Sequence, residues 1–436
     1  MNSMIGKLGD HLSGKVDSRP AAARRMLAAA WSLVGWKGSH FPSKERCASQ
    51  EYLQAVVSNL LSKMIRNSKD AAFVNIFMPC EIFHAMDMKV MTPEAFSIYI
   101  VCTAAERAFL DTAERNGTPE TLCSIHKALI GACESGVCAP PALVVNTTLA
   151  CDANQLTFRE IAGHWGVPHH VIDVPYSVSE ESVAYVADQL RALVPAVEEA
   201  AHRKLSEEKL REAVARSGRT LNNYLDYLAM RPEKHLPETL TPELLSSIAN
   251  HIFLGNAEAE TYSRMLLADL RKAQDIGDRK RVLWMHVSPN WQDDLKQVFQ
   301  YVNVEIIGCD MAYDVLGCGW EMPEPDPWKP YESMARRLVY DTFNGAGERR
   351  IEATLEKARS MKADGAVVFC QWGCKQTQGI AVRAKKALEE NGIPTLIVDG
   401  DAADRANGGG GQILTRCRAF TEMLTQAGAG EGGAAC

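Results

Sequence analysis

Residues 142–176 read ALVVNTTLACDANQLTFREIAGHWGVPHHVIDVPY. A short apolar run, Ala142 to Val145, ends in Asn146-Thr147-Thr148, and a second, His170 to Val174, is stopped by Pro175. Between them Phe158, Ile161, Ala162 and Trp165 recur at helical spacing. Strand, loop, helix, strand is the pattern of a βαβ unit and a parallel sheet. Cys151 falls in the loop at the carboxyl end of the first strand, the edge where ligands of open α/β sheets collect. A thiol there is a candidate metal ligand or nucleophile; the plainer alternative is a small buried residue.

Working outward, the chain has 436 residues, 46% of them hydrophobic, enough for two substantial cores. Its net charge of −7 comes without long single-sign runs, which excludes a basic nucleic-acid footprint. No apolar run approaches the ~18 residues of a spanning helix, and the first twenty or so residues lack the apolar core of a signal peptide. A cytoplasmic protein is expected. Thirteen cysteines are many, and their odd number fits reduced thiols better than a closed disulfide framework. No CxxC pair occurs; Cys370 and Cys374 stand as CxxxC.

Upstream, residues 1–70 read as an N-terminal helical region, with amphipathic spacing over Ala21 to Val34 and Glu51 to Ile65. A first α/β domain is expected over 71–178. It starts with a strand over Ala71 to Met78, followed by a helix from Glu81. Met91 to Glu94 reads as extended, with a helix from Ala95; Glu94 at that helix start is explained locally by the helix dipole. Another helix opens near Thr118 or Thr121 as cap and places Cys123 in its first turn, where the dipole favours thiolate. Cys133 and Cys138, at the far end of that helix, read as structural.

Downstream, 179–278 reads as a helical linker region broken at Arg231-Pro232 and Leu236-Pro237. A second α/β domain with a C-terminal helix is expected over 279–436. Its strands are Arg281 to Val287, Val304 to Cys309, Gly365 to Cys370 and Thr395 to Asp399. Helices over Asp293 to Val302, Glu348 to Lys362 and Gly379 to Asn391 lie between them. The fold class is therefore α/β, with two doubly wound parallel sheets of Rossmann-like type. Cys374 lies just past a strand end, as Cys151 does in the first half. The glycine run Gly408 to Gly411 before the last helix is either a phosphate cradle or a flexible connector.

With the strand ends of both sheets toward a shared cleft, Cys151, Cys374 and the helix-start Cys123 are three thiols from three distant segments. Structural zinc prefers close pairs. An iron–sulfur cluster accepts distant cysteines, and three protein ligands leave one iron open for water or substrate.

Several segments resemble the 2-hydroxyacyl-CoA dehydratase / benzoyl-CoA reductase family over roughly residues 70 to 425. They are Phe77-Met78-Pro79-Cys80-Glu81, Thr92-Pro93-Glu94, Leu122-Cys123-Ser124, Asn146 to Asp152 with Val167-Pro168 and Ile172 to Tyr176, Trp372-Gly373-Cys374-Lys375, and Asp399 to Asp404. The resemblance implies a [4Fe–4S] cluster held by Cys123, Cys151 and Cys374, with Cys370 the alternative to Cys374 at the same strand end. It implies an acyl-CoA thioester substrate whose 2-hydroxyl leaves through a ketyl radical. The electron would come from an ATP-hydrolysing iron–sulfur activator protein. It implies a homologous second subunit, and it makes Glu94 a catalytic base or proton shuttle. The alternatives are an aryl-CoA reductase subunit and a cluster protein that only transfers electrons.

Overall fold

The computed structural model describes residues 3–237, 240–289, 291–292, 295, 297–299, 303–317, 324–407 and 410–427. Three helices come first, Ser3–Val16, Pro20–His40 and Ala48–Arg66. The second opens on Pro20, whose missing N–H costs nothing in a first turn. Its Leu27 and Trp31 join the main core, packed with Leu53, Val57 and Leu61 of the third.

Two four-stranded sheets follow among the described residues, all parallel. The first holds β1 (Ala71–Val74), β2 (Lys89–Met91), β3 (Leu143–Thr147) and β4 (His169–Ile172) in the order β2-β1-β3-β4. The second holds β5 (Lys280–Met285), β6 (Val304–Cys309), β7 (Gly365–Gln371) and β8 (Thr395–Gly400) in the order β6-β5-β7-β8. The two orders are the same order. In each sheet the chain winds outward from its first strand, then crosses to its third and winds the other way. The first and third strands of each sheet thus flank a topological switch point, where ligands of such sheets bind. β3 and β7 are buried throughout, as central parallel strands covered on both faces must be.

Of the helices between the sheets in sequence, Glu180–Ala201 packs against β4, Glu207–Met230 against Ala257–Lys272 and Glu81–Ala85, and Thr241–Ile252 against Ala48–Arg66 and the turn Asp310–Ala312 that follows β6. Arg231 breaks the run as anticipated, in a short turn. Its buried guanidinium donates to Glu305 on β6 at 2.7 Å.

Several boundaries differ from the sequence expectation. β1 stops at Val74, not Met78. Asn75 leaves the ladder because its side chain receives the Thr147 N–H at 2.9 Å and donates to Thr147 Oγ1 at 3.0 Å. The helix after β2 is Pro93–Val101, two residues earlier than expected, because Thr92 Oγ1 accepts the Ala95 N–H at 3.3 Å. β5 ends before His286, whose φ of +81° departs from extended backbone. Helices Glu106–Arg115 and Pro330–Val339 were not anticipated. The helix expected over Gly379 to Asn391 is Ala381–Glu390, and a short helix not anticipated, Lys375–Gln378, precedes it. Much of the helix expected over Asp293 to Val302, and Gly408 and Gly409 of the glycine run, lie outside the described residues. No helix among the described residues is long and apolar enough to cross a membrane.

Candidate metal centre

Each of the three thiols stands immediately before a helix. Cys123 precedes Ser124–Glu134, Cys151 precedes Asp152–Trp165 and Cys374 precedes Lys375–Gln378. Cys123 is thus itself the cap residue, rather than a first-turn residue capped by Thr118 or Thr121. All three line one cavity of about 480 Å³, within the range of small-ligand pockets (about 300–1,000 Å³), together with Thr148, Tyr176 and Gly373. Cys151 comes off β3 and Cys374 off β7, the third strand of each sheet. Two residues in left-handed backbone make the turns: Ala150 at φ +60° before Cys151, and Gly373 at +72° before Cys374. Cys370, one turn of chain away, does not share this cavity. It is buried in a separate apolar cluster with Met285, Ile351 and Val368. No disulfide joins the described cysteines.

The electrostatics are divided. Burial, with Cys374 and then Cys151 as further negative neighbours, holds the Cys123 thiol well above its ordinary value. Burial likewise pushes Cys151 up to about 12. At Cys374 burial also opposes charge, but the His286 imidazole, the Thr377 N–H and the Arg350 guanidinium together outweigh it and bring the thiol down to about 6. Three neighbouring thiolates, Cys123 buried and Cys151 and Cys374 half-buried, therefore need a cationic centre among them; metal binding is what removes such protons. Backbone N–H groups at each helix start oppose the burial: from Ile125 at Cys123, from Asn154 and Ala153 at Cys151, and from Thr377 at Cys374.

Among the described residues no three His, Cys, Asp or Glu side chains converge as the ligands of one metal ion would. Three thiols around one shared cavity are a donor set that would suit an iron–sulfur cluster, which is held by cysteine thiolates.

Two histidines that sequence reasoning missed touch this set. His286 Nε2 lies 3.1 Å from Cys374 Sγ, and His126 Nε2 lies 3.6 Å from Cys151 Sγ. His126 is also hydrogen-bonded to Thr157 Oγ1 at 3.0 Å, and burial brings its pKa down to about 4, so it is neutral. The one signal for His126 was its place three residues after Cys123; for His286, its place at the end of a predicted strand.

The acidic turn Asp399 to Asp404 is a brace rather than a charged surface. Asp401 accepts from Ser124 Oγ, from Gln371 Nε2 at 2.9 Å and from the Ala403 and Asp404 N–H groups at 2.9 and 3.0 Å. It ties the residue after Cys123 to the end of β7.

Glu94 does not line the thiol cavity. It is buried at the start of Pro93–Val101 and lines a separate pocket with Glu243, Ser247, His251 and His286, whose free volume of about 30 Å³ suits a water molecule. Burial raises its pKa to about 7, and its Oε2 has no hydrogen-bond partner among the described residues. Glu243 opposite is likewise raised by burial to about 7. His251 donates to Asp314 at 3.0 Å; burial disfavours its charge, but Asp314 prevails and holds it up at about 9. His286 joins the two sites: its ring faces the Glu94 pocket and meets Cys374.

Comparison with known proteins gives a consistent picture. The model of the 2-hydroxyglutaryl-CoA dehydratase D-component family matches residues 75–424. The chain is 22% identical over 372 residues to the (R)-phenyllactyl-CoA dehydratase alpha subunit of Clostridium sporogenes, across 79% of this chain and 87% of that one. It is 23% identical over 382 residues to the lactoyl-CoA dehydratase subunit alpha of Anaerotignum propionicum, across 79% and 88%. A shorter match, 23% over 252 residues, covers 56% of this chain and 65% of the (R)-phenyllactyl-CoA dehydratase beta subunit of Clostridium sporogenes.

Proposed function

The chain belongs to the 2-hydroxyglutaryl-CoA dehydratase D-component family, and from that premise we propose that it is the iron–sulfur subunit of an (R)-2-hydroxyacyl-CoA dehydratase. The reaction is a hydro-lyase step that removes water from a 2-hydroxyacyl-CoA thioester. The observation that carries the reading is the meeting of Cys123, Cys151 and Cys374, from three distant segments and both sheets, on one cavity. These three would hold a [4Fe–4S] cluster. When bound, the cluster supplies one-electron chemistry and an iron that no protein thiol occupies.

The remaining roles belong to the chain's own groups. The helix-start N–H groups and His286 stabilise charge on the sulfurs. Glu94 faces a pocket too small for more than water, so it would act on the substrate only as a proton shuttle. A pKa near 7 suits a group that passes a proton by way of such a water. Matches to both alpha and beta subunits support a homologous partner, and an ATP-hydrolysing activator would deliver the electron in the cytoplasm.

The test is iron and acid-labile sulfide on protein purified without oxygen, followed by (R)-2-hydroxyacyl-CoA thioesters in the presence of partner and activator. Near-equal iron and sulfide with an EPR signal that changes on adding thioester is the expected result. Absence of iron after anaerobic reconstitution rejects the cluster. A signal indifferent to saturating thioester rejects the enzyme in favour of an electron carrier.

A further inference from the structure

His286 sits where its residue type is costly. Its φ of +81° is a region that side-chain-bearing residues rarely enter. The surroundings hold it there. Its N–H donates to Asp310 Oδ1 at 2.6 Å, and its carbonyl accepts from Cys309 Sγ at 3.2 Å. Asp310 is fixed in turn by the buried Arg350, with contacts of 2.7 and 2.8 Å, and Arg350 also donates to Thr377 Oγ1 at 2.8 Å beside Cys374. A buried ion pair thus aims one strained imidazole at one sulfur, 3.1 Å away, while Nδ1 lies 3.0 Å from Met311 Sδ. The other two thiols are served differently. Cys151 has the longer 3.6 Å contact to His126, and no side-chain hydrogen bond to Cys123 Sγ occurs among the described residues. A strained residue kept in place by its surroundings points to function.

We infer that His286 is a positioning residue that donates an Nε2–H···S hydrogen bond to Cys374 and thereby sets the reduction potential of the centre the three thiols hold. The inference rests on the cluster reading above. Its sign follows from charge. Reduction adds negative charge that the sulfurs share, a donor stabilises that charge, and so the donor raises the potential. The asymmetry among the three thiols makes Cys374 the sulfur most strongly affected.

The experiment is an anaerobic redox titration of the reconstituted full-length chain, followed by EPR, for wild type, His286→Leu, His286→Gln and His126→Leu. Iron and sulfide are measured on each. The expected result is unchanged iron in His286→Leu with a midpoint shifted to more negative potential. His286→Gln, which keeps an N–H donor, should recover part of the shift, and His126→Leu should shift less. A fully loaded His286→Leu with the wild-type midpoint overturns the inference and leaves the cluster reading intact. Wild-type protein that takes up no iron overturns the cluster reading itself. Should His286→Leu fail to load, isotopically labelled histidine in the His126→Leu background decides. Magnetic coupling of its nitrogen to the reduced cluster is expected, and its absence overturns the inference.

Discussion

The backbone of Gly373 lies directly on that of Cys123: a methyl group on Gly373 would come within 2.6 Å of the Cys123 nitrogen and 2.7 Å of the Thr121 carbonyl oxygen. Neither neighbour is a flexible side-chain end that moves cheaply, and φ is +72°. Gly373→Ala should therefore part the Cys374 loop from Cys123. A cost on the order of 1–3 kcal/mol is expected from the backbone conformation alone, with loss of most bound iron. Thermal unfolding and iron content of the purified variant check both.

Cys123→Ala, Cys151→Ala and Cys374→Ala should each lose or degrade the cluster, because each removes a thiolate from the shared cavity. Cys370→Ala, Cys133→Ala and Cys138→Ala should keep wild-type iron. Iron and sulfide analysis with the visible spectrum decides. Equal loss in Cys370→Ala and Cys374→Ala would move the third ligand to the wrong side of β7.

Glu94→Gln should retain the cluster and depress turnover. It should also change the pH dependence of stability. The Glu94 carboxyl is raised from 4.5 to about 7 in the folded protein, so between those values the unfolded chain releases a proton that the native one keeps. Stability contributed by the neutral carboxyl is full below about 4.5 and is lost as pH rises to about 7. The loss is at most about 3 kcal/mol. Denaturant midpoints across that window should fall less in Glu94→Gln than in wild type. Parallel curves would place the carboxyl in water.

Arg337 donates to Glu81 Oε1 at 2.5 Å, and both side chains are buried. Ser217 Oγ donates to the same oxygen at 2.6 Å, so the pair joins the start of Glu81–Ala85 to helices Glu207–Met230 and Pro330–Val339. Arg337→Met leaves a carboxylate stranded and should cost roughly 3–5 kcal/mol. Adding Glu81→Gln should restore much of that. Urea denaturation of the two single variants and the double variant measures the coupling.

Fold class and the strand-end placement of Cys151 and Cys374 were legible because both are local. Apolar runs give strands, and the residues just after them mark the ligand edge. Sheet order was not legible, since parallel pairing joins residues such as Val144 and His169 that carry no local sign of each other. Cys123 as a cap, rather than a first-turn residue, depends on a turn whose dihedrals Thr118 and Thr121 do not reveal. His286 was hidden inside an apparently uniform strand, because its left-handed backbone is imposed by Asp310 and Arg350 from elsewhere. Glu243 and His251 looked like ordinary positions in a helical stretch, and only packing of Thr241–Ile252 brings them to the pocket of Glu94.

The shared cavity also sets an order of events during synthesis. Cys123 and Cys151 leave the ribosome early, but Cys374 arrives only when most of the chain is made, and Gly373 must then dock on Cys123 before three sulfurs face one space. If these thiols hold the proposed cluster, its insertion is accordingly a late step that needs both sheets in place. Chains truncated ahead of β7 are left with two of the three sulfurs, so on the cluster proposal metal content would read out whether a molecule was ever fully assembled.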